Sequence, residues 1–322
     1  MRLPTESVSI MDVTARDGFQ MEKAWIPTEE KIGVINAVLA SGVRRIEATS
    51  FVSPKAVPQL SDADEVLAGI DRPKGAAVTV LVPNLRGAEL ALRSEVDEVT
   101  VVVSVSETHN RSNVRRSVRE SVAQIGEIVN LLEPAGKRVN VGLATSFVCV
   151  FEGVIPVRKV IDVISALSGA PSGGALASFV LSDTTGMANP RQVHDYVKAV
   201  KERFPRHHFG LHLHNTRGMG LANILAGYQA GIRSFDAAVG GIGGCPFSPG
   251  ATGNVCTEDL VHMFHEMGIE TGIEVDKLIR TAKGLEALLG YPLPGYLMRA
   301  GTSPTSRDAD LGETGEVGTG ER

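Results

Sequence analysis

Eight times along the chain, a short run of β-branched and apolar residues is followed by a longer segment of helical pattern. The strand candidates span 8–13, 44–47, 77–81, 98–103, 138–144, 178–182, 208–212 and 234–238. Helical patterns cover 28–39, 61–67, 85–92, 117–132, 155–167, 190–203 and 221–230. Thr28-Glu29-Glu30 gives the first an acidic opening turn, and Pro190 suits the first position of a later one, where a missing N–H costs nothing. This alternation builds parallel βαβ units. Eight such units in about 290 residues match a (β/α)8 TIM barrel. A doubly wound sheet competes, but no GxGxxG follows the first run; the pair Arg16-Asp17 ends it instead. The expectation is a single (β/α)8 domain over residues 1–300. In it 258–267 closes the barrel and 275–289 is an added helix.

Composition narrows the partners. Lys plus Arg is 32 against 37 Asp plus Glu, a net charge of −5, which offers no attraction to nucleic acid or an anionic membrane. Apolar residues make up 43%, enough for a folded core. Three Cys without a CxxC pair exclude a disulfide scaffold and the usual structural zinc site. The start of the chain lacks a signal-like apolar stretch. The uncharged runs 163–182 and 237–257 are broken by Gly and Pro, so neither reads as a membrane span. A cytoplasmic protein with reduced thiols is expected. The tail 301–322, rich in Gly and acidic residues, is expected to be disordered.

Chemistry-bearing side chains gather at strand ends, where barrels place their sites. His212-Leu213-His214 ends the seventh run. Residues two apart on a strand share a face, so these imidazoles either grip one metal ion or hydrogen-bond at a strand end. Asp17, before Gly18, is a hard oxygen ligand or a turn residue bonding its own backbone. Arg16 beside it serves an ion pair, or holds a carboxylate or a developing enolate. Glu47 closes the second run and Asp183 the sixth; each is a general base, an orienting group or a helix cap. Polar groups at four strand ends point to one site. After the eighth run, Gly240, Gly241, Gly243 and Gly244 flank Ile242 and lead to Cys245-Pro246. Such a backbone approaches a ligand closely, with Cys245 as proton donor or nucleophile. It lacks the Lys-Ser/Thr of a phosphate loop. Asn254 offers an amide oxygen, and Cys149 and Cys256 read as small buried residues without obvious partner groups.

Four stretches together carry a resemblance. Thr14-Ala15-Arg16-Asp17-Gly18-Phe19-Gln20-Met21-Glu22-Lys23 resembles the first-strand motif of the 3-hydroxy-3-methylglutaryl-CoA lyases. Ile46-Glu47-Ala48-Thr49-Ser50-Phe51-Val52-Ser53-Pro54-Lys55 resembles their second-strand signature, and His212-Leu213-His214-Asn215-Thr216 their metal strand. Gly243-Gly244-Cys245-Pro246 with Gly253-Asn254 resembles their catalytic loop and last metal ligand. The resemblance runs over residues 8–290 and extends to the isopropylmalate and homocitrate synthases. It implies Mg2+ or Mn2+ on Asp17, His212, His214 and Asn254. It implies catalytic roles for Arg16, Glu47, Asp183, His212 and Cys245. Arg16, Gln20, Lys23 and Gly244 would contact an acyl-CoA substrate, and the assembly would be a homodimer.

The implied reaction is retro-Claisen cleavage of 3-hydroxy-3-methylglutaryl-CoA to acetyl-CoA and acetoacetate. One stretch departs from the family. Where its members often carry Gly-Cys-Pro-Tyr after the fifth strand, this chain reads Phe147-Val148-Cys149-Val150-Phe151-Glu152-Gly153. Arg217 also stands where many members have an uncharged residue. Both changes bear on the acyl group. Citramalyl-CoA or a longer branched glutaryl-CoA is the alternative substrate. The synthase direction and a catalytically silent acyl-CoA-binding barrel are the other readings.

Overall fold

The computed structural model describes residues 6–169, 175–244 and 253–302. Eight parallel strands close into a barrel: β1 (Ser9–Asp12), β2 (Arg45–Ser50), β3 (Ala77–Leu81), β4 (Glu98–Ser104), β5 (Arg138–Ala144), β6 (Leu176–Asp183), β7 (Phe209–Leu213) and β8 (Ser234–Ala237). Each pairs with its sequence neighbours, and β1 pairs β8 from Ser9↔Ser234 to Asp12↔Ala237, which closes the ring. The outer helices are α1 (Thr28–Ala40), α2 (Ala63–Ala68), α3 (Leu85–Arg93), α4 (Glu107–Val114), α5 (Val118–Leu132), α6 (Val157–Ser168), α7 (Pro190–Arg203), α8 (Gly220–Gln229), α9 (Thr257–Glu266) and α10 (Val275–Leu289), with a last turn, α11 (Leu297–Ala300). The expected (β/α)8 barrel with added C-terminal helices is the observed one. Most of the tail expectation lies outside the described residues.

Side chains alternate across each strand. Val99, Val101, Val139, Val141, Phe179, Leu181, Leu211 and Phe235 are buried and belong to the apolar core. They form the layer between sheet and helices, and parallel strands covered this way read as apolar runs. The alternating positions are polar to an unusual degree: Glu47, Thr79, Glu98, Thr100, Asn140 and Asp236 are all buried. The barrel therefore has two interiors, an oily ring outside the sheet and a polar channel within it.

Sequence periodicity missed two pieces on the face formed by the C-terminal strand ends. Helix α4 carries almost no apolar residues. Its ends hold it: the Ser106 side chain accepts from His109 N, and Arg115 terminates it in the left-handed region at φ 57°. A two-residue hairpin pairs Val148–Cys149 with Gly153–Val154, too short to leave a period. Cys149, read without partners, lies with its Sγ 3.1 Å from Ser106 Oγ. No helix among the described residues is long and apolar enough to cross a membrane.

Candidate active site and metal centre

The chain leaves β1 through a π-helical turn, Thr14–Gly18, whose five residues are all buried. Such a turn is a common functional irregularity. It carries Arg16 and Asp17 inward. Arg16 Nη1 lies 2.5 Å from Asp17 Oδ1, and its Nε donates to Glu47 Oε2 on β2. The pairing of β2 with β3 shifts register between Glu47 and Thr49, an irregularity of the kind that re-aims side chains. Gln20, in the next turn, donates to Asp17 Oδ1 at 3.0 Å.

Across the channel, His212 sits on β7 and His214 one residue beyond it, bridged to Asn254. The pair is thus not within one regular strand, yet the two Nε2 atoms are 3.2 Å apart. Each lies 3.9 Å from Asp17 Oδ2. One ligand atom from each of Asp17, His212 and His214 falls within 4.8 Å of the others. Asn254 Nδ2 donates to Asp17 Oδ2 at 2.8 Å and to Ile242 O at 3.0 Å, leaving Asn254 Oδ1 buried without a partner among the described residues. Two imidazoles, a carboxylate and an orphaned amide oxygen fit a divalent cation. Gly243 closes the cluster at φ +89°: a Cβ there would come within 2.7 Å of Asn254 Nδ2 and 2.9 Å of Asp17 O.

Charge sets the protonation states. Burial opposes ionisation of Asp17, but Arg16, His212 and His214 hold its carboxyl at about 2. Burial and the neighbouring His212 push His214 down to about 4, so it is neutral and free to ligate near pH 7. His212 goes the other way. Burial lowers it, but Asp236 and Asp17 outweigh that. Its Nδ1 is 3.4 Å from Asp236 Oδ2 on β8. A carboxylate behind a ligating imidazole fixes its tautomer and raises its basicity. Asp236 escaped the sequence reading; the one signal for it is an acid inside the apolar run Phe235-Asp236-Ala237.

The remaining expected residues fall as follows. Asp183 ends β6, and its two oxygens each accept a backbone N–H at 3.0 Å, from Met187 and from Ala188. Burial pushes its carboxyl up to about 6 despite those bonds and the charge of Arg217. Arg217 itself donates to the carbonyls of Thr185 and Gly186 at 3.2 Å. Lys23 is exposed on the crossover after Gln20, and Gly244 is half-buried at the last described position of its loop. Cys245 lies outside the described residues.

The HMGL-like family model matches residues 7–284. A hydroxymethylglutaryl-CoA lyase of Bacillus subtilis is 43% identical, over 90% of this chain and 95% of that protein. An (R)-citramalyl-CoA lyase of Chloroflexus aurantiacus is 40% identical, over 92% and 95%. Among solved structures, an HMG-CoA lyase from Acinetobacter baumannii in complex with coenzyme A and 3-methylmalate is 45% identical. It superposes with a TM-score of 0.88 over 94% of this chain and 98% of that one. With its barrel, its Asp-His-His cluster and these relatives, the chain belongs to the HMGL-like family, as a carbon–carbon lyase of the oxo-acid-lyase type.

Proposed function

We propose that the protein cleaves 3-hydroxy-3-methylglutaryl-CoA into acetyl-CoA and acetoacetate. The observation that carries the reading is one constellation: a buried Arg16 lying against the Asp17-His212-His214 cluster, with its Nε bound by Glu47. Asp17, His212, His214 and the amide oxygen of Asn254 would hold Mg2+ or Mn2+. When bound, the ion supplies Lewis acidity toward the substrate's 3-hydroxyl. Glu47 Oε1, buried without a partner among the described residues, accepts the hydroxyl proton. The C2–C3 bond then breaks, its electron pair stays on C2, and the new carbonyl forms at C3. Arg16 faces the charge of the thioester enolate so produced. Cys245 gives C2 its proton, and acetyl-CoA leaves.

The test is turnover of 3-hydroxy-3-methylglutaryl-CoA by metal-replete protein, following acetoacetate, with a chelated control and with Cys245→Ala. Acetoacetate formation lost on chelation, and strongly reduced in the variant, is the expected result. Folded, metal-loaded protein that releases no acetoacetate rules the substrate out. The hairpin after β5 supports a second substrate. Val150 and Phe151 are exposed there and Val148 is half-buried, and one relative at 40% identity is a citramalyl-CoA lyase. The ratio of kcat/KM for the two thioesters decides between them.

A further inference from the structure

The crossover from the Phe19–Met21 turn to α1 runs through Glu22-Lys23-Ala24-Trp25-Ile26-Pro27 without regular structure. Main-chain groups in such a segment need partners. One side chain from another loop supplies three of them. Gln59, in the β2–α2 connection and only 5% exposed, accepts from Ile26 N at 3.0 Å. Its Nε2 donates to Glu22 O at 3.1 Å and to Ala24 O at 2.5 Å. The amide thus acts as a peptide unit of a missing neighbouring strand.

Gln59 is held in turn. Lys31 on α1 is buried, and its Nζ donates to Gln59 O at 2.5 Å and to both oxygens of Asp62 at 2.9 Å. Thr28 Oγ1 donates to Asp62 Oδ2 at 2.8 Å. The Trp25 ring covers the cluster with its centroid 3.9 Å from Lys31 Nζ. From the far side, Tyr291 OH donates to Glu22 Oε1 at 2.6 Å. This crossover carries exposed Lys23 and continues directly from Gln20, which touches Asp17.

We infer that Gln59 is a positioning residue that sets the Glu22–Ile26 crossover as a wall of the acyl-CoA entrance. The inference rests on the proposed thioester reaction. Losing Gln59 affects how the thioester seats more than how its bond breaks, because its hydrogen bonds among the described residues go to Glu22, Ala24, Ile26 and Lys31 rather than to Arg16, Asp17 or the histidines. Trp25 is the only tryptophan in the chain, so its emission reports on this crossover. In Gln59→Leu, Trp25 emission moves to longer wavelength, its quenching by acrylamide increases, and the affinity for coenzyme A falls. KM for the thioester rises roughly tenfold while kcat changes less than about threefold. Gln59→Glu keeps the acceptor for Ile26 N and loses both donors, so it lies between wild type and Gln59→Leu and serves if the latter does not fold. Folded variants whose emission and coenzyme A affinity match wild type overturn the inference. So does a fall in kcat with KM unchanged. Absent turnover in the wild type defeats the proposed reaction instead, and the emission and coenzyme A measurements still decide the role of Gln59.

Discussion

The polar channel inside the barrel has a floor and a mouth, and they treat buried charge in opposite ways. At the floor, Glu98 at the start of β4 is 2% exposed, and both its oxygens are taken. Arg45 Nη2 donates to it at 2.9 Å, Asn140 Nδ2 at 2.8 Å, and Arg138 completes the set. Arg45 also reaches Ser234 Oγ at 3.2 Å, and Ser178 Oγ donates to Asn140 Oδ1 at 2.6 Å, so five strands are tied together. At the mouth, Glu47 Oε1, His214 Nδ1 and Asn254 Oδ1 are buried without partners among the described residues. An unpartnered buried polar atom costs about 1–3 kcal/mol, so such atoms persist where something else satisfies them. Among the described residues the floor carboxylate is fully paired, whereas these polar atoms of the mouth are not. Between the two, the Thr79 and Thr100 hydroxyls also lack partners among the described residues, which marks how far the channel stays polar.

Substitution sharpens this contrast. Asp17→Asn removes the anionic ligand at constant size and is expected to lower kcat by at least about 10³-fold, while the metal-free melting temperature moves by only about 2–4 °C. Chelation should lower the melting temperature of wild type, by mass action, and leave that of Asp17→Asn unmoved. Glu98→Ala should do the reverse. It strands the Arg45 guanidinium and is expected to cost about 3 kcal/mol in denaturant unfolding, with kcat/KM of the folded fraction within a few-fold. A Glu98 variant that is stable but inactive would erase the distinction between floor and mouth. Asp236→Asn tests the boundary: it is expected to weaken metal affinity by about 10–100-fold, measured by titration, through its contact with His212.

What could be read in advance follows chain distance. The βα alternation is local, so the strand positions, the barrel and the two added helices came from patterning. His212 and His214 are two residues apart and Arg16 adjoins Asp17, so those pairs were legible as short strings. Asp236 and Gln59 were not. Each acts through a partner on a different loop or strand; the acid inside Phe235-Asp236-Ala237 is visible in the string but its partner His212 is not, and Gln59 does not stand out where it sits. Helix α4 was invisible because caps and the bond from Asn110 Nδ2 to Arg116 O at 2.9 Å hold it, not an apolar stripe. The same limit applies to protonation: no reading of the string tells that His212 and His214 shift in opposite directions.

A third buried carboxyl shows what separates floor from mouth. Glu258 on α9 is fully buried, and its two oxygens accept from Gly240 N at 3.2 and 3.0 Å. Like Glu98 it is hydrogen-bonded, but its charged neighbours are Asp259 and Asp12 rather than arginines. Burial pushes it up to about 8, from an ordinary value of 4.5, and the Gly240 N–H offsets only part of that. Glu98 shifts the opposite way: burial opposes ionisation, and Arg45 overrides it. Hydrogen bonds alone therefore do not keep a carboxylate ionised here; a cation does. The consequence is a pH dependence with a definite sign. Between pH 4.5 and about 8 the folded chain keeps the Glu258 proton while the unfolded chain has released it. Unfolding then releases a proton, and this contribution to stability, full below the unfolded value, is lost as pH rises through about 8. The slope reaches at most about 1.4 kcal/mol per pH unit. Denaturant midpoints from pH 5 to 8 should decline less steeply in Glu258→Gln, which keeps an acceptor for Gly240 N and cannot titrate. An unchanged slope in that variant would mean that Glu258 is ionised in the fold. A cation would then have to lie beside it, and the contrast with Glu98 would fail.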